Sequence, residues 1–282
     1  MPTRWHASRC LDDALAILAA EPGAVPIAGG TDVMVLKRMG FLPAGVFVDI
    51  RGLPELRGIH EAPEGVSLGA LTTYSELAAS PLVRERYPLL VQAARLSGAW
   101  AVQNRGTIGG NIANASPAAD TPPVLLVYRA QIELASVRGR RWLPYAQFHV
   151  GYKVTRRAPD ELITRVRLPR EPAGAGFYRK VGTRQAQAIS KVCFAALGRW
   201  DDGRLHDVHL ALGSVAPTVI EAERTAAYLR GRRPTEIDRR EARSLLEGEI
   251  APIDDIRSTA RYRRAVAGNL LEQFLDEVRP GA

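Results

Sequence analysis

Cysteine is nearly absent: Cys10 and Cys193 are the two in 282 residues, and no C-x-x-C pair occurs. A cluster held by four cysteines needs more than this, so no iron–sulfur centre is expected on the chain, and both thiols read as reduced and buried. Hydrophobic runs are short. The longest lies near Pro122–Val127, well under the roughly 18–20 residues of a membrane span. The N-terminus, Met1-Pro2-Thr3-Arg4-Trp5-His6, lacks the apolar core of a signal peptide, and a cytoplasmic location is expected. Lysine is scarce too, four of the 38 basic residues. The net charge of +8 comes mainly from arginines such as Arg156-Arg157, Arg232-Arg233, Arg239-Arg240 and Arg263-Arg264, with acidic residues interleaved. Without aromatic interleaving or a recognisable module this is not a nucleic-acid reader; solvated helix faces, and in part a partner-docking surface, account for it.

Catalytic constellations are missing as well. His6, His60, His149, His206 and His209 form no metal set, since His206 and His209, three apart in a strand, fall on opposite faces. No G-x-S-x-G occurs, so no nucleophile elbow is read. No general base stands out.

What is present is glycine in two places. One stretch is Pro26-Ile27-Ala28-Gly29-Gly30-Thr31-Asp32 and the other runs from Asn104 through Thr107-Ile108-Gly109-Gly110-Asn111 to Asp120. Paired glycines admit positive φ and let backbone approach a ligand with no Cβ between. Turns of this kind gather successive N–H groups into a concavity suited to phosphate. Neither stretch matches G-x-G-x-x-G or G-x-x-x-x-G-K-[ST], which disfavours the common nucleotide folds. In the first, backbone from Ile27 to Val33 would wrap a diphosphate, with the Thr31 hydroxyl as a further donor. Asp32 would point away from phosphates of like charge. In the second, Thr107, Asn111 and the Gly109 and Gly110 amides are candidates, and Asp120 is an acceptor suited to sugar or ribityl hydroxyls.

The second stretch resembles the fourteen-residue signature T-x-G-G-N-[ILV]-x-x-A-[SD]-P-x-x-D of the flavoprotein subunit of molybdenum hydroxylases, the family of xanthine dehydrogenase and carbon monoxide dehydrogenase. The first resembles the same family's A-G-G-T-[DE] loop. Gly151-Tyr152-Lys153-Val154-Thr155, Pro159-Asp160-Glu161-Leu162-Ile163, Phe177-Tyr178-Arg179-Lys180, Ile189-Ser190-Lys191-Val192, Ala211–Thr218 and Tyr262-Arg263-Arg264 follow in order, so the likeness spans about 27–271. The resemblance implies non-covalent FAD, contacted by Ile27, Ala28, Gly29, Gly30, Thr31, Asp32, Val33, Thr107, Gly109, Gly110, Asn111, Asp120, Ile163 and Lys180. It places Ile163 against the cofactor and lets Lys180 reach the flavin nucleotide. Some relatives set an aromatic ring near the position of Ser97; here neither Ser97 nor Trp100 is assigned that part.

The implied fold is α+β. A two-subdomain FAD-binding fold of the vanillyl-alcohol oxidase type covers 1–172 (subdomains about 1–55 and 56–172), and a C-terminal α+β domain of the carbon monoxide dehydrogenase flavoprotein type covers 173–282. The implied role is an electron-transfer subunit, most like the xanthine dehydrogenase branch. It would be fed by [2Fe–2S] clusters on a small partner subunit, serve a molybdopterin centre on a large one, and pass electrons to NAD or another acceptor. A free-standing flavin reductase and a non-catalytic nucleotide-binding protein stay open as alternatives.

Periodicity supplies the local expectations. Leu11, Ala14, Leu15 and Leu18 mark a helix, with Ser8 as its cap; helix–strand–helix–strand is read over about 1–55. Val66–Leu71 is strand-like, and Tyr74–Ala79 and Val83–Leu96 are helical. The signature itself reads as loop, and Val124–Tyr128, Gln131–Ser136 and Leu162–Leu168 as short apolar segments. A hairpin turns at Asp201-Asp202-Gly203, and helices follow over about 219–229, 235–246 and 261–278.

Overall fold

The computed structural model describes residues 3–42, 45–170 and 174–278, and the expected break at 172/173 lies outside the described residues. The chain opens with β1 (Arg4–Ala7), α1 (Leu11–Ala20), β2 (Val25–Ile27), α2 (Val33–Arg38) and β3 (Val46–Asp49). The strands form a parallel sheet in the order β1-β3-β2. Leu11, Ala14, Leu15 and Leu18 are the buried face of α1, each leucine contributing roughly 1.5–3 kcal/mol by burial. The helix begins later than expected: its N-cap is Cys10, not Ser8, whose amide instead donates to the Asp49 carbonyl at 3.1 Å. Cys10 is accordingly exposed rather than buried. β1 was not expected, because its one large apolar residue, Trp5, is half exposed; it stacks on Phe47 at 4.8 Å.

Next come β4 (Ile59–Ala62), β5 (Gly65–Gly69), α3 (Tyr74–Ala79), α4 (Pro81–Arg86), α5 (Pro88–Leu96), α6 (Trp100–Gln103), α7 (Ile108–Asn114) and α8 (Pro122–Val127). β6 (Gln131–Ser136), β7 (Gly139–Pro144), the small hairpin β8 (His149–Gly151) and β9 (Val154–Thr155), and β10 (Leu162–Pro169) complete the subdomain. Its main sheet is antiparallel, ordered β4-β5-β10-β6-β7. The segment 83–96 is cut into two helices at Pro88, which has no N–H to continue the ladder. Residues read as loop in the signature form α7, and 124–127 belong to α8, whose Pro122 and Pro123 occupy a first turn where the missing donors are harmless.

The remainder is β11 (Ala175–Val181), β12 (Val192–Asp201), β13 (Arg204–Gly213), β14 (Ile220–Glu221), α9 (Glu223–Leu229), α10 (Arg239–Glu247) and α11 (Ala260–Glu277). The four strands pair in chain order. Asp202 (φ 48°) and Gly203 (φ 68°) make the expected turn between β12 and β13. The helix expected from 219 starts at Glu223, because Ile220–Glu221 first adds an edge strand. α10 starts at Arg239, where the Asp238 carboxylate caps the Arg240 and Glu241 amides. β12 is covered on both faces, hence its continuous apolar run. Phe194 and Ala196 pack with Leu271 and Phe274 of α11, while Cys193, Ala195 and Leu197 enter the central core with Leu90 of α5 and Leu125 of α8.

A bulge between Leu197 and Arg199, opposite Asp207 (φ 51°), shifts the alternation of β13 by one. Leu205, Val208 and Leu210 therefore share one core, and His206 and His209 lie on the same face, not opposite ones. Burial lowers the pKa of His209 to about 4, with Arg129 and Arg230 adding to the effect and Asp207 opposing it. As pH falls below 6.5 the unfolded chain takes up this proton before the folded one does. Stability should thus decline between pH 6.5 and about 4, by on the order of 2 kcal/mol after discounting for partial solvent access. Urea midpoints at pH 7 and pH 4.5 should differ less in His209→Gln than in the wild type; equal slopes would exclude His209 as the source.

Candidate functional site

A cleft enclosing about 260 Å³ opens between the segment of the parallel sheet β1-β3-β2 and the elements around the antiparallel sheet β4-β5-β10-β6-β7. One wall is the turn from β2 into α2 (Ala28, Gly29, Gly30, Thr31, Asp32 and Val33) and the other is the start of α7 (Thr107, Gly109, Gly110 and Asn111). Ile163 of β10 lines the floor. Eleven of the fourteen expected residues meet here; Ile27, Asp120 and Lys180 are not in the lining. Ile27 is buried behind the first wall, its carbonyl accepting from the Ile50 amide.

The first wall supplies donors. Met34 N–H closes onto the Gly30 carbonyl at 3.0 Å, but the amides of Gly29, Gly30, Thr31, Asp32 and Val33 find no protein acceptor among the described residues. Gly30 sits at φ 75°, and such a left-handed step folds neighbouring N–H groups toward one side as an anion nest. Gly29 has a different reason to be glycine: a Cβ there would lie 1.9 Å from the Arg105 carbonyl oxygen. Asp32 does not cap α2. Its carboxyl is pushed up by loss of hydration against the cleft, with Lys153 opposing.

The second wall works through shape. The Gly109 amide donates to Ala70 O at 2.9 Å and the Gly110 amide to Thr107 Oγ1 at 3.1 Å. Ile108 N and Asn111 N are likewise satisfied, by Thr72 O and Thr107 O. These amides are therefore engaged within the protein, contrary to the expectation that Gly109 and Gly110 would offer them. A Cβ on Gly109 would meet Ala70 Cβ at 2.6 Å, so this glycine seats α7 on the chain after β5; one on Gly110 would meet only Thr107 Oγ1, at 2.9 Å, and would otherwise fill the cleft. Asn111 accepts from Thr121 Oγ1 at 2.6 Å through its side-chain oxygen, leaving the amide nitrogen for a cleft ligand. Asn114 also lines the cleft, while Ser116 orders its own loop by accepting from the Ala118 amide.

Asp120 and Lys180 meet each other, with Nζ to Oδ2 at 2.7 Å and both side chains largely buried. Ser190 donates to Asp120 Oδ1 at 2.7 Å, and Lys180 also donates to Leu96 O at 2.8 Å. Burial raises the Asp120 pKa, while Lys180, Ser190 and Ser97 oppose it. The pair ties the loop after α7 to β11. Ser97 is buried and Trp100 is 82% exposed.

Two cleft residues escaped sequence reasoning. Arg157 donates from Nη1 to the carbonyls of Ala158, Pro159 and Glu161, makes no ion pair among the described residues, and has its pKa lowered by burial. In the sequence it is one of many paired arginines. Tyr74 lines the opposite side, brought there by the bridge between Thr73 and Thr107, a long-range pairing with no local signature.

Consecutive free amides lining an apolar-floored cleft, with a cation at its edge, suit a phosphorylated ligand. Comparison with known proteins specifies the family. "FAD binding domain in molybdopterin dehydrogenase" matches residues 1–171, and "CO dehydrogenase flavoprotein C-terminal domain" matches 177–278. The carbon monoxide dehydrogenase medium chain of Hydrogenophaga pseudoflava is 31% identical, over 96% of this chain and 95% of that protein. The xanthine dehydrogenase FAD-binding subunit of Escherichia coli O157:H7 is 32% identical, over 97% and 94%. A solved structure of the H. pseudoflava carbon monoxide dehydrogenase lacking the Mo-pyranopterin moiety superposes with a TM-score of 0.93 at 31% identity, covering 99% of this chain and 97% of that one. The chain belongs to the FAD-binding flavoprotein subunits of the molybdopterin dehydrogenases, and its α+β fold is theirs. It is an oxidoreductase subunit. The two identities, 31% and 32%, do not separate the carbon monoxide and xanthine branches.

Proposed function

We propose that this chain carries non-covalent FAD and relays electrons within a three-part molybdenum hydroxylase. Electrons arrive from [2Fe–2S] clusters of a small partner subunit, a large partner holds the molybdopterin centre, and NAD or another acceptor takes them onward. The assembly is cytoplasmic; no helix among the described residues is long and apolar enough to cross a membrane. The domain division at 172/173 belongs to the same reading.

The observation that carries it is the row of unpaired amides from Gly29 to Val33. They suit the diphosphate, since charge-assisted hydrogen bonds are about twice as strong as neutral ones. Arg157 adds positive charge nearby. Gly110 leaves room for close approach, Asn111 offers a side-chain donor, and Ile163 gives an apolar surface. A bound flavin supplies the redox chemistry, while the protein contributes binding, orientation and electrostatics. The Asp120–Lys180 pair fits this reading as the flavin-side support, holding the C-terminal sheet against the cleft's back.

No histidine or cysteine lies in either glycine stretch, so the flavin should come off on denaturation. Acid or heat treatment of the purified yellow protein should release FAD into the supernatant. Flavin left on the precipitate, or FMN as the released species, would contradict the assignment. Hydroxylation of a purine or aldehyde should require co-expressed partners; turnover by the lone chain would favour a free-standing enzyme.

A further inference from the structure

One buried hydroxyl in the cleft has no protein partner. Tyr74 is 6% exposed, at the first position of α3. Its ring edge packs on Gly106, where a Cβ would sit 2.8 Å from Tyr74 Cε2. Its amide donates to Gly106 O at 3.2 Å, but its hydroxyl bonds to nothing among the described residues.

The other buried tyrosines all differ. Tyr87 donates to Pro169 O at 2.7 Å and Tyr178 to Asp120 O at 3.1 Å. Tyr128 accepts from Leu89 N at 3.1 Å, and Tyr145 pairs with His149 Nδ1 at 3.3 Å. This fold satisfies each buried phenol except the one in the cleft wall. The Tyr74 hydroxyl is also not sealed away: among the described residues the inaccessible unpaired side-chain atoms are His6 Nε2, Ser8 Oγ, Trp200 Nε1, Arg232 Nε and Arg263 Nε. Tyr74 lines the cleft, the cavity from which a ligand can meet that hydroxyl. Burial and the nearby Asp120 and Asp32 carboxylates keep the phenol protonated, so it can act as a donor.

We propose that Tyr74 is a cofactor ligand whose hydroxyl donates a hydrogen bond to an acceptor atom of the dinucleotide in the cleft. This rests on the FAD reading above. The alternative is a purely structural tyrosine, and the two predict opposite patterns. Tyr74→Phe keeps the ring and removes only the hydroxyl. Removing an unpaired buried hydroxyl does not weaken a fold, so the flavin-free variant should melt at or above the wild-type temperature. Its FAD Kd should rise about three- to tenfold, the scale of one neutral hydrogen bond, and FAD should raise its melting temperature less than it raises the wild type's.

The full-length chain, stripped of flavin, would be titrated with FAD by fluorescence and melted with and without it. A Kd within twofold of wild type, or a lowered flavin-free melting temperature with unchanged FAD affinity, overturns the assignment of Tyr74. Wild-type protein that takes up no FAD overturns the FAD reading itself, and this assignment with it.

Discussion

Gly29→Ala is expected to cost both the fold and the cofactor. The added Cβ would stand 1.9 Å from the Arg105 carbonyl oxygen, and backbone on both sides must move apart. Overpacking of this sort typically destabilises by about 1–3 kcal/mol. The amides from Gly29 to Val33 move with it. Losing two charge-assisted hydrogen bonds, at about 1.5–3 kcal/mol each, would weaken FAD at least about a hundredfold. Gly110→Ala is the informative contrast, because its Cβ meets only the Thr107 hydroxyl. It should lower FAD occupancy while the urea midpoint stays near wild type. Flavin absorbance per chain and urea midpoints, measured on both variants, decide the matter. Full occupancy in Gly29→Ala would show that the first wall is not where the cofactor binds.

Lys180→Met should be strongly destabilising although Lys180 lies outside the cleft lining. It leaves Asp120 buried with Ser190 as its remaining strong partner, and removing one member of a buried ion pair costs about 3–5 kcal/mol. Burial already pushes the Asp120 pKa upward against Lys180; without the ammonium it rises further above the unfolded value. The folded variant then binds a proton more readily than the unfolded chain, so its deficit should shrink as pH falls toward 4 and grow as pH rises. Asp120→Asn combined with Lys180→Met should recover part of the loss. Urea unfolding at pH 5 and pH 8 tests this, and a deficit independent of pH would mean that Asp120 is not the stranded group.

Much of the fold could be read in advance where one short-range rule governed. The leucine spacing of α1 and the turn at Asp202-Gly203 each follow from local pattern, whereas 191–200, which reads as alternating, is apolar on both faces because β12 lies between two cores. The family signature located both cleft walls. What stayed hidden depended on distant partners. Gly109 owes its identity to Ala70, Gly29 to Arg105, and Tyr74 its place to a bridge with the second glycine stretch. The pairing of Asp120 with Lys180 spans sixty positions and leaves no trace in spacing. The bulge at Asp207 reversed the expected placement of two histidines because a single extra residue resets a period of two.

The central core draws on Val66 of β5 at one end of the chain and on Leu197, Ala211 and Val219 at the other. During synthesis the first of these emerges long before the last. At about 5–20 residues per second, the interval is on the order of ten seconds or more. Through that time the faces of α5 and α8 that pack on β11, β12 and β13 stay uncovered. The N-terminal core is therefore completed only when β12 and β13 arrive, and chaperone demand should peak in the interval before them.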